Sequence, residues 1–324
     1  MNKGGVHVIK VHCIVSCFCE IVKRYSDVDY RPFYFGVWDA DFDLTEQGEI
    51  TYFSENHDYF LHWFEHLFGP KVETWYDPLK SKESNLQTFL RLVEERTEDQ
   101  HIVVQIDMSL MPERENKFNQ KPFPHFLMIQ KTEKEDEWFM FDPDFRWEGN
   151  VQKERVIQAF LENPFGGGFI FDSRFITKPS EEKVEQFFQH SFKKNENELT
   201  VLLKKLITNM VEEKEDYSFS QLFQAVRQLP VIAIRKYSYE HALMYFHPSK
   251  EYEEGEFEYW CDRIEEVVRG FSNVQYKTMK MAMTKNPSLL PSILKTLDEM
   301  DQTELRIKEE VEKQFLHWKK GVRV

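Results

Sequence analysis

The 324-residue sequence predicts an α+β N-terminal domain, residues 1–177, followed by an all-helical domain, residues 178–324. Three observations carry this. Short β-branched and aromatic runs at Ile102–Ile106, Phe123–Ile129 and Trp138–Phe141 are set apart by turn signals, as in an antiparallel sheet. Beyond about residue 178, apolar positions recur at i, i+3, i+4 and i+7, the period of amphipathic helices. Between Val11 and Val22 an apolar, helix-like run carries three of the four cysteines, Cys13, Cys17 and Cys19.

Composition narrows the function classes. At 41% hydrophobic and 15% aromatic residues the chain can build a large core, which excludes a disordered protein. A formal charge of -14 argues against nonspecific attraction to nucleic acid or anionic membrane. It keeps the protein soluble and suits a cationic small substrate. No apolar run approaches the roughly 20 residues of a membrane span. Lys3, Gly4, Gly5, His7 and Lys10 interrupt any signal-peptide core. The expected location is cytoplasmic, where clustered cysteines are not a disulfide framework.

Taken in order, Val6–Val11 reads as a strand and residues 13–24 as a helix, with Cys13, Cys17, Ile21 and Arg24 along one side. Pro32–Val37 and Ile50–Phe53 read as strands flanking an acidic turn. Tyr59–Phe68 is apolar at helical spacing and is stopped by Gly69-Pro70, and Leu86–Val93 is a second amphipathic helix. Charged Lys131–Glu137, between two apolar runs, is a hairpin signal. Gly166-Gly167-Gly168 and Phe169–Phe171 read as a closing turn and strand. In the second half, Leu199 to Val211 follows a helical stripe. Leu222 to Leu229 continues it after a Ser218/Ser220 cap and is stopped by Pro230. Phe257 to Phe271 is a stripe ending near Gly270. Leu289–Trp318, entered through Pro287-Ser288, is a long charged helix or pair of helices.

Thiol catalysis needs a thiolate, a histidine to exchange its proton, and a group to hold that histidine. Cys13 stands at the mouth of a helix, where exposed N–H groups and the positive dipole end favour a negative charge. His125 interrupts an apolar strand run, and Asp142 ends the next strand. If His125–Ile129 pairs with Trp138–Asp142 across the charged turn, His125 and Asp142 face each other, leaving one imidazole nitrogen for Cys13. The bland readings are a satisfied strand histidine, an Asp-Pro-Asp turn at 142–144 and a small buried cysteine. The order Cys, His, Asp, with the last two on one hairpin, favours catalysis. Cys17 is packing, or the reserve nucleophile should the helix start later.

These residues resemble the papain-like cysteine peptidase fold in its C39-like branch: a Cys opening the first helix, a His starting a strand, an Asp-Pro closing the next. His12-Cys13, Ile102–Asp107, Phe126–Ile129 and Asp142-Pro143 are similar to the acyltransferase family of butirosin biosynthesis. The whole chain resembles the spermidine-condensing acyltransferases of petrobactin biosynthesis. That resemblance implies transfer of a 3,4-dihydroxybenzoyl group from an aryl carrier protein thioester to a primary amine of spermidine. Cys13 would form the acyl-enzyme, His125 would move the proton and Asp142 would orient His125. It implies no metal and no cofactor of the protein's own, since the phosphopantetheine arm belongs to the carrier. The Cys13 N–H would be one oxyanion donor. Papain-like enzymes take a second from an upstream glutamine, and this chain has His7 and Lys10 there.

A polyamine needs carboxylates. Asp107, Asp39 and Asp41 are the candidates, with Asp43 beside them. The last three do not make a calcium loop, because Leu44 and Ile50 stand where glycine and glutamate are required. His12, Cys13, Cys17 and Cys19 lack a CxxC pair, so zinc is not expected. Two rival functions remain, a papain-like peptidase or amidase and a non-enzymatic scaffold that binds a carrier protein. The helical half could shape the amine pocket, dock the carrier or form a homodimer.

Overall fold

A computed structural model describes residues 11–52, 57–113, 121–247 and 255–322. Residues 6–10 of the strand expected before the first helix, His7 and Lys10 among them, lie outside the described residues. So does Phe53, the end of the run expected over Ile50–Phe53. The protein is mixed α/β, with a sheet-bearing N-terminal region and a helical C-terminal one. It packs as two units. One runs to Phe33 and resumes over His57–Lys183. The other holds the intervening segment, from Tyr34, together with Val184 onward. From Glu181 onward the described elements are all helical. The segment from Tyr34, read as part of the first domain, packs with the helices instead.

In the first unit, α1 (Cys13–Tyr25) begins after His12, whose extended backbone and Nδ1 cap it by accepting from the Val15 N–H at 3.5 Å. It ends at Ser26, whose Oγ donates to the Val22 carbonyl, with Lys23 and Arg24 in the last turn to complement the dipole. Ile14 to Cys19, Ile21 and Val22 are all buried, while Cys13 and Glu20 are half-buried and Lys23, Arg24 and Tyr25 exposed, so the first turns are enclosed and the last turn meets solvent. α2 (His57–Phe68) stops as expected at Gly69, whose φ of +97° only glycine adopts readily. α3 (Lys82–Glu95) is capped by Ser81 Oγ accepting from the Ser84 N–H.

The strands form two sheets. In the second unit, β1 (Asp43–Leu44) pairs with β2 (Ile50–Thr51). The first unit holds β3 (Glu73–Thr74), β4 (Gln100–Asp107), β5 (Pro124–Lys131), β6 (Glu137–Asp142), β7 (Trp147–Gln152) and β8 (Gly168–Asp172). Their order is β3-β8-β4-β5-β6-β7, and every pair is antiparallel. One face carries Ile102, Val104, Leu127, Ile129 and Met140. These pack with Phe89 of α3 and with Val156 and Phe160 of α4 (Lys153–Glu162). A separate aromatic cluster centres on Phe18 of α1, whose ring lies 4.6 Å from Phe64 of α2 and 4.9 Å from Phe171 of β8. β3, β7 and α4 were not expected.

Three further expectations fail for physical reasons. Pro32–Val37 is not a strand but most of a 3-10 turn, Arg31–Gly36. The Arg31 N–H bonds back to Asp29 Oδ1, Pro32 fixes φ, and the tight coil buries Phe33, Tyr34 and Phe35 together. Pro230 opens a helix rather than stopping one. After the Ser218 capping box and α7 (Leu222–Ala225), it lies in the first turn of α8 (Leu229–Ala233), where its missing N–H costs nothing. Gly270 does not end its helix. α9 (Ser238–Phe246) is followed by α10 (Glu256–Thr284), which runs through Gly270 and there meets Met300 of α11 (Leu290–Val322). A Cβ at Gly270 would lie 2.5 Å from Met300 Cγ, so the glycine permits close helix approach. The second unit also contains α5 (Glu181–Ser191), mostly, and α6 (Glu198–Val211). Among the described residues no helix is long and apolar enough to cross a membrane.

The glycine run at 166–168 serves the packing of rigid rings. A Cβ on Gly168 would lie 2.1 Å from Cε2 of Trp75, whose indole stacks 5.4 Å from Phe89 and donates to the Val103 and Phe169 carbonyls. Gly168→Ala should therefore cost about 1–3 kcal/mol by overpacking. Chemical denaturation of the variant beside wild type checks this, and unchanged stability would show that the indole can move aside.

Candidate active site

Cys13 is the first residue of α1 and is half-buried. His125 is the second residue of β5 and Asp142 closes β6. Both are buried, Asp142 with 0% of its surface exposed. His125 Nε2 lies 2.9 Å from Asp142 Oδ1, and the Cys13 side chain hydrogen-bonds to the same imidazole. With Nε2 taken, Nδ1 is the ring nitrogen left for Cys13. Phe145 and Phe123 wall the ring at 5.1 and 5.8 Å.

The hairpin that joins the pair is not in the expected register. Its ladder runs from Met128 opposite Phe141 to Lys131 opposite Trp138, which brings Asp142 level with Leu127. The slip is two residues. Because strand side chains alternate, an even slip leaves both groups on one face, where they are diagonal neighbours within reach of a long side chain.

Electrostatics separate His125 from the sheet's other buried histidine. Burial alone would pull the His125 pKa down. The Asp142 carboxylate, and after it Cys13, outweigh burial and hold the imidazole well above its usual value. His101 on β4 has no carboxylate hydrogen bond among the described residues. Burial, then the Arg96 charge, lowers its pKa to about 4, outweighing the Asp172 charge, which raises it. Its Nε2 lies 3.0 Å from Ser173 Oγ, which itself donates to the Asp99 carbonyl. Of the two, His125 is the one equipped to carry a proton near neutral pH.

Cys17 lies one turn behind Cys13. It is fully buried, its Sγ–H donates to the Phe126 carbonyl at 3.7 Å, and burial pushes its thiol well up. That environment suits packing, not a reserve nucleophile. Cys19 is likewise buried, donating to the Tyr30 carbonyl. At the mouth of α1 the Cys13 and Ile14 backbone N–H groups have no acceptor among the described residues, as first-turn donors do.

Asp144 is the residue that sequence reasoning passed over as part of a turn. Its Oδ1 accepts from the Val11 N–H at 3.2 Å, the His12 N–H at 3.2 Å and Ser16 Oγ at 2.9 Å. The Asp-Pro-Asp triplet was visible, but nothing linear says that its second carboxylate reaches a helix start more than a hundred residues away.

Of the three carboxylates expected to hold an amine, Asp107 and Asp39 make contacts within the fold. Asp107 ends β4, and its Oδ1 accepts from the Ser109 and Phe123 N–H groups at 2.9 Å, closing that connection. Asp39 lies in the other unit, buried, with Oδ1 2.8 Å from Lys236 Nζ and Oδ2 2.7 Å from Lys308 Nζ. Lys236 also pairs with Glu304, which accepts from Tyr239. Burial alone would raise Asp39, but the two ammonium groups outweigh it and hold the carboxyl below its usual range. Both its oxygens are engaged inside the fold. Asp41 offers an exposed side chain, and its carbonyl accepts from Arg235.

The chain belongs to the DUF6005 family: the model of the DUF6005 N-terminal domain matches residues 8–176 and that of the DUF6005 C-terminal domain residues 182–323. It is similar to a petrobactin synthase from Bacillus anthracis, with 59% identity over 96% of each chain.

The low pKa of His101 has a consequence for stability. The unfolded chain takes up a proton on this residue from about pH 6.5 downward, and the folded protein only near 4. Stability should therefore fall by up to about 3 kcal/mol as pH drops from 6.5 to 4. Chemical denaturation across that range should show the slope in wild type and lose part of it in His101→Gln. An equal slope in both would contradict the assignment.

Proposed function

We propose that this protein is a cytoplasmic cysteine acyltransferase of petrobactin biosynthesis. It would form an amide between an aryl group, 3,4-dihydroxybenzoyl, carried as a thioester on a carrier protein, and a primary amine of spermidine. The name of the similar Bacillus protein supports the pathway, and the resemblance of Cys13, His125 and Asp142 to a C39-like, papain-fold triad supports the chemistry. The observation that carries the reading is the position of His125, hydrogen-bonded on one side to Asp142 and on the other to Cys13.

In this reading Cys13 gives its thiol proton to His125, and the buried Asp142 carboxylate stabilises the imidazolium that results. The thiolate sulfur attacks the thioester carbonyl. The carbonyl oxygen takes up negative charge beside the Cys13 and Ile14 N–H groups at the helix mouth. The bond to the carrier's phosphopantetheine sulfur breaks, and His125 gives its proton to that leaving sulfur. The acyl group is then on Cys13. A spermidine amine in its free-base form attacks this carbonyl, His125 takes the proton the nitrogen loses, and the Cys13–acyl bond breaks to leave amide and thiolate. The protein needs no cofactor of its own for these steps. Water in place of the amine would make the same site a hydrolase, so the transferase reading requires that the amine reach the acyl-enzyme first.

Incubation with aryl-loaded carrier protein and spermidine should yield the amide, with free aryl acid a minor product. Equal release of free acid with and without spermidine would favour the hydrolase. Asp142→Asn keeps the shape but removes the charge that fixes the His125 tautomer, and it should lower turnover by roughly 10²–10⁴. Turnover within a few-fold of wild type would remove Asp142 from the mechanism.

A further inference from the structure

We propose that Asp144 is a positioning residue that holds Cys13 against His125, an inference that rests on the catalytic reading of Cys13 above. Its carboxylate is buried, with 6% of its surface exposed, and one oxygen receives three donors. Two of these are the backbone N–H groups immediately before Cys13. The third is the Ser16 hydroxyl, one turn into the same helix. The clamp thus brackets the nucleophile on both sides in sequence.

The local cap could not do this alone. His12 reaches the Val15 N–H only at 3.5 Å, the long limit of a hydrogen bond, whereas Asp144 offers a charged acceptor to the groups that enter the helix. A negative group at a helix N-terminus also complements the dipole and resists fraying of the first turn. By occupying the Val11 and His12 donors, Asp144 leaves the Cys13 and Ile14 N–H groups as the open ones.

Asp144 is also tied to the base. Asp142 Oδ1, which orients His125, accepts from the Phe145 N–H at 3.2 Å, and the Arg146 N–H donates to the Pro143 carbonyl at 3.1 Å. Two carboxylates two residues apart, with the stiff Pro143 between them, therefore sit on one closed turn. One holds the imidazole and the other holds the backbone that carries the sulfur. The separation of nucleophile and base is set by this turn rather than by the hundred-residue path between them. A displacement of about 1 Å at such a pair can cost roughly 10²-fold in rate.

The test is the rate of Cys13 alkylation by iodoacetamide from pH 5 to pH 9, followed by mass mapping. Cys261 serves as the internal reference, because burial and the nearby Glu240 carboxylate push its thiol up to about 12. Wild type should label Cys13 readily at pH 6. Asp144→Ala, with folding checked by circular dichroism, should lose about tenfold or more of the pH 6 rate relative to its own pH 9 rate. Asp144→Asn retains an acceptor oxygen for the same N–H groups and should return that ratio to within about threefold. A merely structural role would lower the melting temperature in both variants and leave the ratio alone. Should Asp144→Ala not fold, Asp144→Glu keeps the charge but displaces the oxygens, and it should show the same loss against Asp144→Asn. A wild-type ratio in the displaced variants overturns the proposal. Wild type labelled no faster at Cys13 than at Cys261 at pH 6 overturns the catalytic reading, and this role with it.

Discussion

A carboxylate with none of its surface in water must be met by hydrogen-bond donors or a positive charge, and Asp142 is such a group. It meets the His125 imidazole and the Phe145 N–H. From that requirement follows much of the site. The imidazole is drawn toward its charged form, its ring is fixed by one nitrogen, and the other nitrogen is left to face the start of α1. His101, equally buried in the same sheet but without a carboxylate hydrogen bond among the described residues, is driven the opposite way. The two histidines show that burial alone does not make a base. A buried anion beside it does.

The architecture serves this pair by enclosing α1. With Ile14 to Cys19 buried, α1 cannot slide or rotate without disturbing Phe18 and the rings of Phe64 and Phe171 around it. Its N-terminus is thereby held where β5 begins and β6 ends. In the second unit the buried polar groups do a different job. Asp39, Lys236, Lys308 and Glu304 form a neutral set of two anions and two cations, joining the segment before β1 to the helices on which the lysines and Glu304 stand. Removing one member would strand an uncompensated charge.

Much of this was legible in the sequence where local rules act alone. The helix mouth at Cys13, the stop at Gly69, the strands at Ile102–Ile106 and Phe123–Ile129 and the long terminal helix follow from caps, breakers and period. Errors arose where tertiary contacts override local signals. Gly270 reads as a stop, yet it is a contact point for Met300, and Pro230 reads as a stop, yet it opens a turn. The aromatic run after Pro32 reads as a strand because its residues favour strands, but every ring is buried and the chain coils tightly to achieve it. The hairpin register missed by two, an error that alternation forgives. The pairing of Asp39 with two lysines, about two hundred or more residues on, has no linear signal. Asp144 was hidden for the same reason.

The central claim is that Cys13 carries the acyl group. Intact mass spectrometry after incubation with aryl-loaded carrier protein, in the absence of spermidine, tests it most directly. Wild type should gain the mass of one aryl acyl group and Cys13→Ala should gain none, with the adduct discharged when spermidine is added. An adduct that persists in Cys13→Ala, or amide formed at the wild-type rate by that variant, would contradict the account.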